Sequence, residues 1–128
     1  MKKFIRNDLK RFFPPESESD LQARCVAWFD QKYLGCKHLL FAIPNGGHRS
    51  KATAGILKSE GVRRGVADLF LAIPIMGTPG LFIEMKFKKG KQSAEQKAFQ
   101  EQVEAVGYKY VVCCSESDFQ ETITSYLS

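Results

Sequence analysis

The sequence has no apolar stretch near the roughly 20 residues that a membrane-spanning helix needs. It also has no internal repeat and no low-complexity segment. Its basic start, MKKFIRNDLKRFF, carries charges at Arg6, Asp8, Lys10 and Arg11 where a secretory signal peptide would have an apolar core. These absences argue against a membrane-spanning or exported chain, and we expect a soluble, cytoplasmic protein.

Paired cysteines are also missing. Cys25, Cys36, Cys113 and Cys114 form no CxxC pair and have no histidine at zinc-finger spacing. Cys113 and Cys114 end the apolar run YVVCC, where free cysteine behaves as a small buried hydrophobe. A reduced, intracellular protein is the simplest interpretation.

Acidic residues are in the minority, with 14 Asp and Glu against 19 Lys and Arg and a formal charge of +5. A positive excess favours a polyanionic partner. The 128 residues fit one domain, and 44% hydrophobic residues suffice for one core. We expect a basic leader over residues 1–16, closed by Pro14 and Pro15, and a single domain over residues 17–128.

Hydrophobic periodicity predicts an α/β order. Ser17 and Ser93 are natural helix N-caps, and Gly107 is a natural helix stop. The GTPG segment predicts a hairpin, and a helix crosses over before the last strand, which together indicate a mixed sheet flanked by helices. Helical patterns cover residues 18–33, 50–61, 93–107 and 115–127, and strand patterns cover 38–43, 68–75, 81–87 and 108–114.

One strand pattern, LFIEMKF, carries two charges. Alternate side chains share a face of a strand, so Glu84 and Lys86 point the same way with Cα atoms about 6.5–7 Å apart. The four apolar residues Leu81, Ile83, Met85 and Phe87 take the other face and predict the core. Taken alone, the charged pair is typical of a solvent-facing ion pair of little energetic value.

The preceding strand pattern begins with Asp68, across the hairpin from Glu84. An acid at the end of an apolar strand is costly unless it is solvated or paired; a turn-forming aspartate is the alternative. Two carboxylates on adjacent strands can hold a divalent cation such as Mg²⁺, which prefers oxygen ligands and keeps several waters. A nearby lysine such as Lys86 can orient the attacking water and offset charge on a phosphate.

An aspartate, a hairpin and then Glu-x-Lys resembles the PD-(D/E)xK nuclease core, although Ala67 stands where the commonest pattern has proline. The surrounding segments are SESDLQ at 17–22, IPNGGHR at 43–49, GVRRGVADLFL at 61–71, LFIEMK at 81–86 and SAEQ at 93–96. In this order they resemble the segments of the VRR-NUC family (virus-type replication-repair nuclease), over residues 17–114.

This resemblance implies an α/β restriction-endonuclease-like fold with a metal site. It makes Asp68 and Glu84 metal ligands, the backbone carbonyl of Met85 a third ligand and Lys86 the catalytic lysine. Glu18 corresponds to the family's helical acid, which completes the metal site directly or through water. A first-turn acid favoured by the helix dipole is the alternative role for Glu18, and Glu16 is a rival that lacks the following Leu-Gln context.

Gln96 has two interpretations. The resemblance makes it a residue of the catalytic site that orients Lys86 or a phosphate. Its place three residues after Ser93 equally predicts a capping box at a helix start. The two roles are compatible.

Basic residues around the proposed site are candidates for the DNA backbone, with ordinary solvated charge as the alternative. Such contacts are salt-sensitive and carry no sequence information. His48 is a general acid, a DNA contact or neither. The candidates are Arg49, Lys51, Arg63, Arg64, Lys88, Lys89 and Lys91, of which the last three follow the catalytic strand directly.

By this resemblance we expect a Mg²⁺- or Mn²⁺-dependent DNA endonuclease in a bacterial or phage-infected cell. One small domain has one active site, so we expect a homodimer that resolves branched DNA such as a Holliday junction, independently of sequence. The alternatives are a flap, nicking or single-strand nuclease of the same fold, a catalytically inactive DNA-binding module, and an interaction protein that binds no nucleic acid.

Overall fold

The computed structural model describes residues 12–44 and 50–128. Most of the expected leader therefore lies outside the described residues, and the division at residue 16 remains a prediction. The elements in chain order are α1 (Glu18–Lys32), a 3₁₀ segment (Leu34–Leu39), β1 (Leu40–Ala42), α2 (Lys51–Ser59), β2 (Leu69–Leu71), β3 (Leu81–Met85), α3 (Ala94–Ala105), β4 (Lys109–Cys113) and α4 (Glu116–Leu127).

The four strands form one mixed sheet in the order β1-β2-β3-β4. β1, β2 and β3 pair antiparallel, and β4 pairs parallel with β3. A parallel pair needs a long crossover, which α3 supplies. The predicted α/β fold, with a mixed central sheet flanked by helices, is confirmed.

One face of the sheet packs against α1 and α4. The side chain of Ser17 accepts a hydrogen bond from the Asp20 N–H and starts α1 as predicted. The helix then buries Leu21 and Phe29 against the leucines and isoleucine of β2 and β3. Each fully buried side chain of this kind contributes about 1.5–3 kcal/mol, so this layer is the main core.

The opposite face carries a row of aromatic residues. Paired positions on successive strands are Phe41, Phe70, Phe82 and Tyr110. The Phe70 and Phe82 rings lie 4.5 Å apart, and Phe99 of α3 meets Phe82 edge-on at 5.3 Å. α3 therefore covers the β3 and β4 end of this face, and β3 is buried on both sides.

The hairpin and two strands differ from the sequence prediction. The tight turn is Met76–Gly77, both with positive φ, rather than the GTPG segment, because two-residue hairpins favour a turn with two left-handed residues. β2 ends at Leu71. The first predicted strand is a 3₁₀ segment up to Leu39, and only Leu40–Ala42 pairs.

Two further features bear on the predictions. Cys25, Cys36, Cys113 and Cys114 are all free. In the described ranges, no helix has the length and apolar character to cross a membrane.

Candidate active site

Asp68 lies directly before β2 and, by the register that pairs Leu69 with Ile83, faces Glu84 across the hairpin. The Met85 N–H donates a 2.7 Å hydrogen bond to Asp68 Oδ2, and the Asp68 N–H donates to the Ile83 carbonyl at 3.0 Å. In an extended strand, the N–H and C=O of one residue point to the same neighbour. The Met85 carbonyl is therefore directed toward Asp68, at the end of the sheet.

Glu84 is fully buried, with 0% of its surface exposed. Its Oε1 atom accepts hydrogen bonds from the Tyr110 hydroxyl and from Gln92 Nε2, the latter at 3.2 Å. Within residues 12–44 and 50–128, its Oε2 atom accepts no hydrogen bond. A buried polar atom without a donor is costly, and this oxygen is directed at the end of the sheet where Lys86 lies.

Lys86 Nζ lies 3.5 Å from Glu84 Oε2 and donates a 2.9 Å hydrogen bond to Gln96 Oε1. The ion pair expected from the strand pattern is present, but the solvent-facing interpretation is wrong: the side chains of Lys86 and Glu84 are only 14% and 0% exposed. The α3 layer over this face is the reason, and local periodicity gives no view of it.

Gln96 has both predicted local contacts. Its Oε1 atom accepts from the Ser93 N–H at 2.8 Å, and its own N–H donates to Ser93 Oγ at 3.1 Å, which completes the capping box of α3. The same Oε1 atom accepts from Lys86. The helix cap therefore also fixes the ammonium group.

Glu18 is an exposed residue of the first turn of α1, and with Asp68 it lines a cleft of about 550 Å³ that continues past Gln22 to Asp30. Partial burial raises the pKa of Glu18, and the charge of Asp68 raises it further, while Lys86 opposes the shift and Glu84 adds to it. Glu18 thus lies close enough to the other site residues for their charges to act on it.

The residues fit a small divalent cation. The described residues contain no group of three or more His, Cys, Asp or Glu side chains placed to hold a metal. Mg²⁺ is commonly held by one or two carboxylates, waters and substrate phosphate. The buried Glu84 Oε2, which faces Lys86 but accepts no hydrogen bond from the described residues, suits that mode, with Asp68 opposite Glu84 in the register and Glu18 lining the same cleft as Asp68.

The basic candidates lie in three places. Lys88, Lys89 and Lys91 are exposed in the loop after β3, where Lys88 has a φ of 56° that turns the chain out of the strand. Lys51 begins α2, which contains no buried residue. Arg49 and His48 lie outside the described residues.

Arg63 and Arg64 lie in the loop before β2. Arg63 Nη1 donates to the Lys58 carbonyl at 3.3 Å, and Arg64 pairs with Glu95 at 3.9 Å in an exposed position. Gly65 has a φ of +80°, and a Cβ atom there would lie 2.7 Å from Glu95 Cβ. This close approach seats the loop on the first turn of α3, next to Gln96.

Two residues of the site were missed in the sequence. Tyr110 had a usable signal, because a tyrosine in a buried strand needs a partner for its hydroxyl. Burial, together with its hydrogen bond to Glu84, raises the pKa of Tyr110, so the hydroxyl remains a donor at neutral pH. No sequence pattern indicated Gln92, since its hydrogen bond to Glu84 depends on how the loop before α3 folds.

Comparisons with known proteins agree with this architecture. The family model described as the VRR-NUC domain matches residues 9–117. A solved structure titled "VRR_NUC domain protein" is similar with a TM-score of 0.71 at 24% sequence identity, over 86% of this chain and 87% of that chain. None of the curated proteins compared with the chain matches it.

Proposed function

Since the chain belongs to the VRR-NUC domain family and so carries a nuclease-type domain, we propose that it is a Mg²⁺- or Mn²⁺-dependent DNA endonuclease. The observation that carries the proposal is the buried Glu84, whose Oε2 atom has no hydrogen-bond donor among the described residues and faces Lys86 at 3.5 Å. A buried carboxylate oxygen that accepts no hydrogen bond is suited to bind a cation.

Asp68, Glu84 and the Met85 carbonyl would hold the cation, with Glu18 acting through water. The bound cation supplies Lewis-acid polarisation of the phosphate and a water of lowered pKa. Lys86, held between Gln96 and Glu84, orients the attacking water and offsets the negative charge that builds on the phosphate. The capping box of α3 keeps the ammonium group in place during this step.

The proposed substrate is branched DNA, bound independently of sequence. Lys88, Lys89 and Lys91 are exposed in the loop that follows the strand of Glu84 and Lys86, and Arg64 is exposed in the loop before β2, where it pairs with Glu95 at the start of α3. Contacts to phosphates fix position without reading bases. The proposed DNA-contacting residues also include Arg49, Lys51 and Arg63.

A homodimer is proposed because residues 12–44 and 50–128 of one chain form one such site. Concerted cutting of two strands at a Holliday junction requires two sites related by symmetry. A flap, nicking or single-strand nuclease needs only one site, and an inactive module would bind DNA without cutting it.

The test is a panel of end-labelled DNA substrates: a four-way junction, a flap, a nicked duplex and a single strand. We expect the parent chain with Mg²⁺ or Mn²⁺ to cut the junction and Lys86→Ala to bind without cutting. Lys109→Ala is the matched control, because Lys109 is exposed and pairs with Leu81 at the opposite end of the sheet. A parent that cuts none of these substrates, or a Glu84→Ala variant that cuts as well as the parent, would overturn the proposal.

A further inference from the structure

We propose that Tyr110 and Gln92 are positioning residues that hold the carboxylate of Glu84 in place, so that its Oε2 atom, which faces Lys86 and accepts no hydrogen bond from the described residues, can bind a divalent cation. This inference rests on the proposed function, whose metal site it deepens. Neither residue belongs to the predicted ligand set, and both act through Glu84.

The hydrogen bonds around Glu84 are unevenly divided between its two oxygens. The Tyr110 hydroxyl and Gln92 Nε2 both donate to Oε1, while Oε2 accepts none in the part of the chain that is described. A carboxylate oxygen accepts about two hydrogen bonds, so Oε1 is saturated by protein donors. A partial rotation of the carboxylate would break both bonds, so the two donors fix the plane of the group and leave one of its oxygens without a hydrogen bond.

Tyr110 is fixed by its packing. Its side chain is 5% exposed and lies in a buried cluster with Ala67 and Val103, with the Phe99 ring 6.3 Å away. Ala67 immediately precedes Asp68. The cluster that holds the ring of Tyr110 therefore includes the residue before one acid, while the Tyr110 hydroxyl donates to the other acid.

Gln92 is fixed by α3. Its Nε2 group, which donates to Glu84, also donates to Gln100 Oε1 at 3.0 Å, so both amide hydrogens are used. Gln96 and Gln100 are four residues apart and share one face of α3. Gln96 holds Lys86, and Gln100 holds Glu84 through Gln92, so a single helix face sets both members of the ion pair.

Loss of either hydrogen-bond donor to Glu84 should weaken metal binding. Residues that orient a metal ligand typically contribute 10- to 100-fold to metal affinity. Without the Tyr110 hydroxyl, the carboxylate keeps only the hydrogen bond from Gln92, and we expect the Mn²⁺ dissociation constant to rise roughly 10-fold. Excess metal should then restore much of the cutting rate.

The experiment measures Mn²⁺ binding to the full chain by calorimetry, without DNA, for Tyr110→Phe, which keeps the ring and removes only the hydroxyl. Tyr126→Phe is the matched control, because the Tyr126 hydroxyl donates to the Ile73 carbonyl at 2.7 Å in a buried position that none of the site contacts involves. Gln92→Leu is the second variant, since a loop residue tolerates replacement. Thermal unfolding of the metal-free proteins reports whether each variant folds.

Weaker Mn²⁺ binding by Tyr110→Phe and Gln92→Leu, with Tyr126→Phe unchanged, supports the inference. Parent-like binding by folded Tyr110→Phe and Gln92→Leu overturns it, as does equal weakening in Tyr126→Phe, which would indicate a general loss of stability. If the parent binds Mn²⁺ and cuts DNA, such a result overturns the positioning role alone. A parent that binds no Mn²⁺ overturns the proposed function and this inference with it.

Discussion

Lys86 Nζ lies 3.5 Å from Glu84 Oε2 at a position where the carboxylate is fully buried and the lysine side chain is 14% exposed. A buried ion pair of this kind contributes little net stability, yet removing one partner leaves the other charge uncompensated. The pair therefore offers a measurable link between the fold and the proposed chemistry.

Lys86→Met should destabilise the metal-free chain by about 3–5 kcal/mol, because Glu84 keeps a buried charge without its cation. In the double variant with Glu84→Gln, the neutral amide oxygen still accepts from Tyr110, so part of the loss should be recovered. We expect a coupling energy of about 0.5–3 kcal/mol in the free energy of unfolding, measured by urea titration. Additive losses would show that the pair is not coupled in solution.

Asp68 combines a structural contact with its proposed ligand role. Its Oδ2 atom accepts from the Met85 N–H at 2.7 Å. Asp68→Asn keeps an oxygen that accepts this bond, so its stability should stay near that of the parent while cutting is lost. Asp68→Ala removes the acceptor and should cost about 1 kcal/mol more. Equal unfolding midpoints for the two variants would contradict this separation.

Gly65 and Gly61 form a matched pair for testing how the loop before β2 seats α3. Both have positive φ, but a Cβ atom at Gly65 would lie 2.7 Å from Glu95 Cβ and 2.9 Å from the Glu95 carbonyl carbon, whereas one at Gly61 meets no heavy atom within 4 Å. Alanine at either position should cost about 1–2 kcal/mol in backbone strain.

Gly65→Ala should lose about 1–3 kcal/mol more than Gly61→Ala, because the added methyl group pushes on the first turn of α3. That displacement should also reduce cutting, since Gln96 in this turn holds Lys86. Thermal unfolding and the junction assay measure the two effects. Equal losses in both alanine variants would mean that the loop does not press on α3.

The sequence predicted the positions of those candidate residues that follow local rules. Spacing along one hairpin indicated Asp68, Glu84 and Lys86, and side-chain capping indicated the starts of α1 and α3. The structure places these residues together as expected from the register of β2 and β3, while their chemical roles remain predictions.

The rest depended on contacts between distant elements. Glu84 looked solvent-facing because its strand alternates, and only the packing of α3 buries it. Gln92 reaches Glu84 through a loop conformation that carries no motif. The Met76–Gly77 turn was missed because a methionine with a φ of 47° is unusual, while the nearby Gly and Pro offered a more familiar turn.

The rate at which the buried thiols are alkylated should depend on pH, independently of the active site. Burial raises the pKa of Cys25 to about 12 and that of Cys113 to about 11, whereas Cys114 is exposed. Only a thiolate reacts with alkylating agents. At pH 8, which lies well below both pKa values, only a very small fraction of either thiol is ionised, and the fraction is smaller for Cys25 than for Cys113.

Iodoacetamide labelling of the native chain at pH 8, read by mass spectrometry, should therefore modify Cys114 first and spare Cys25 and Cys113. Between pH 8 and 10 the thiolate fraction of each buried thiol rises by about the same factor, roughly 100-fold. Cys25 should therefore still be alkylated more slowly than Cys113 at pH 10. Labelling in urea is the control and should reach all four cysteines. Rapid native labelling of Cys25 would contradict the burial of α1 against α4.

The loop after β3 should affect the affinity for DNA and not the cutting step. Lys88, Lys89 and Lys91 are exposed and lie beside Lys86, so their replacement should weaken binding without changing the metal site. Each lost phosphate contact lowers the slope of log affinity against log salt by about 0.9 for duplex DNA. The triple alanine variant should therefore lose up to about three such increments, measured by fluorescence anisotropy on a junction over a salt series.

Lys109→Ala should leave the slope unchanged, because that lysine lies at the other end of the sheet. The Mn²⁺ dissociation constant of the triple variant should match the parent's, since all three lysines are exposed in the loop after β3 whereas Glu84 is buried. An unchanged salt slope in the triple variant would place the DNA on another surface and would leave Arg63 and Arg64 as the next residues to replace. A lowered salt slope with parent-like Mn²⁺ binding would show that the lysines that contact DNA phosphates are distinct from the residues of the metal site.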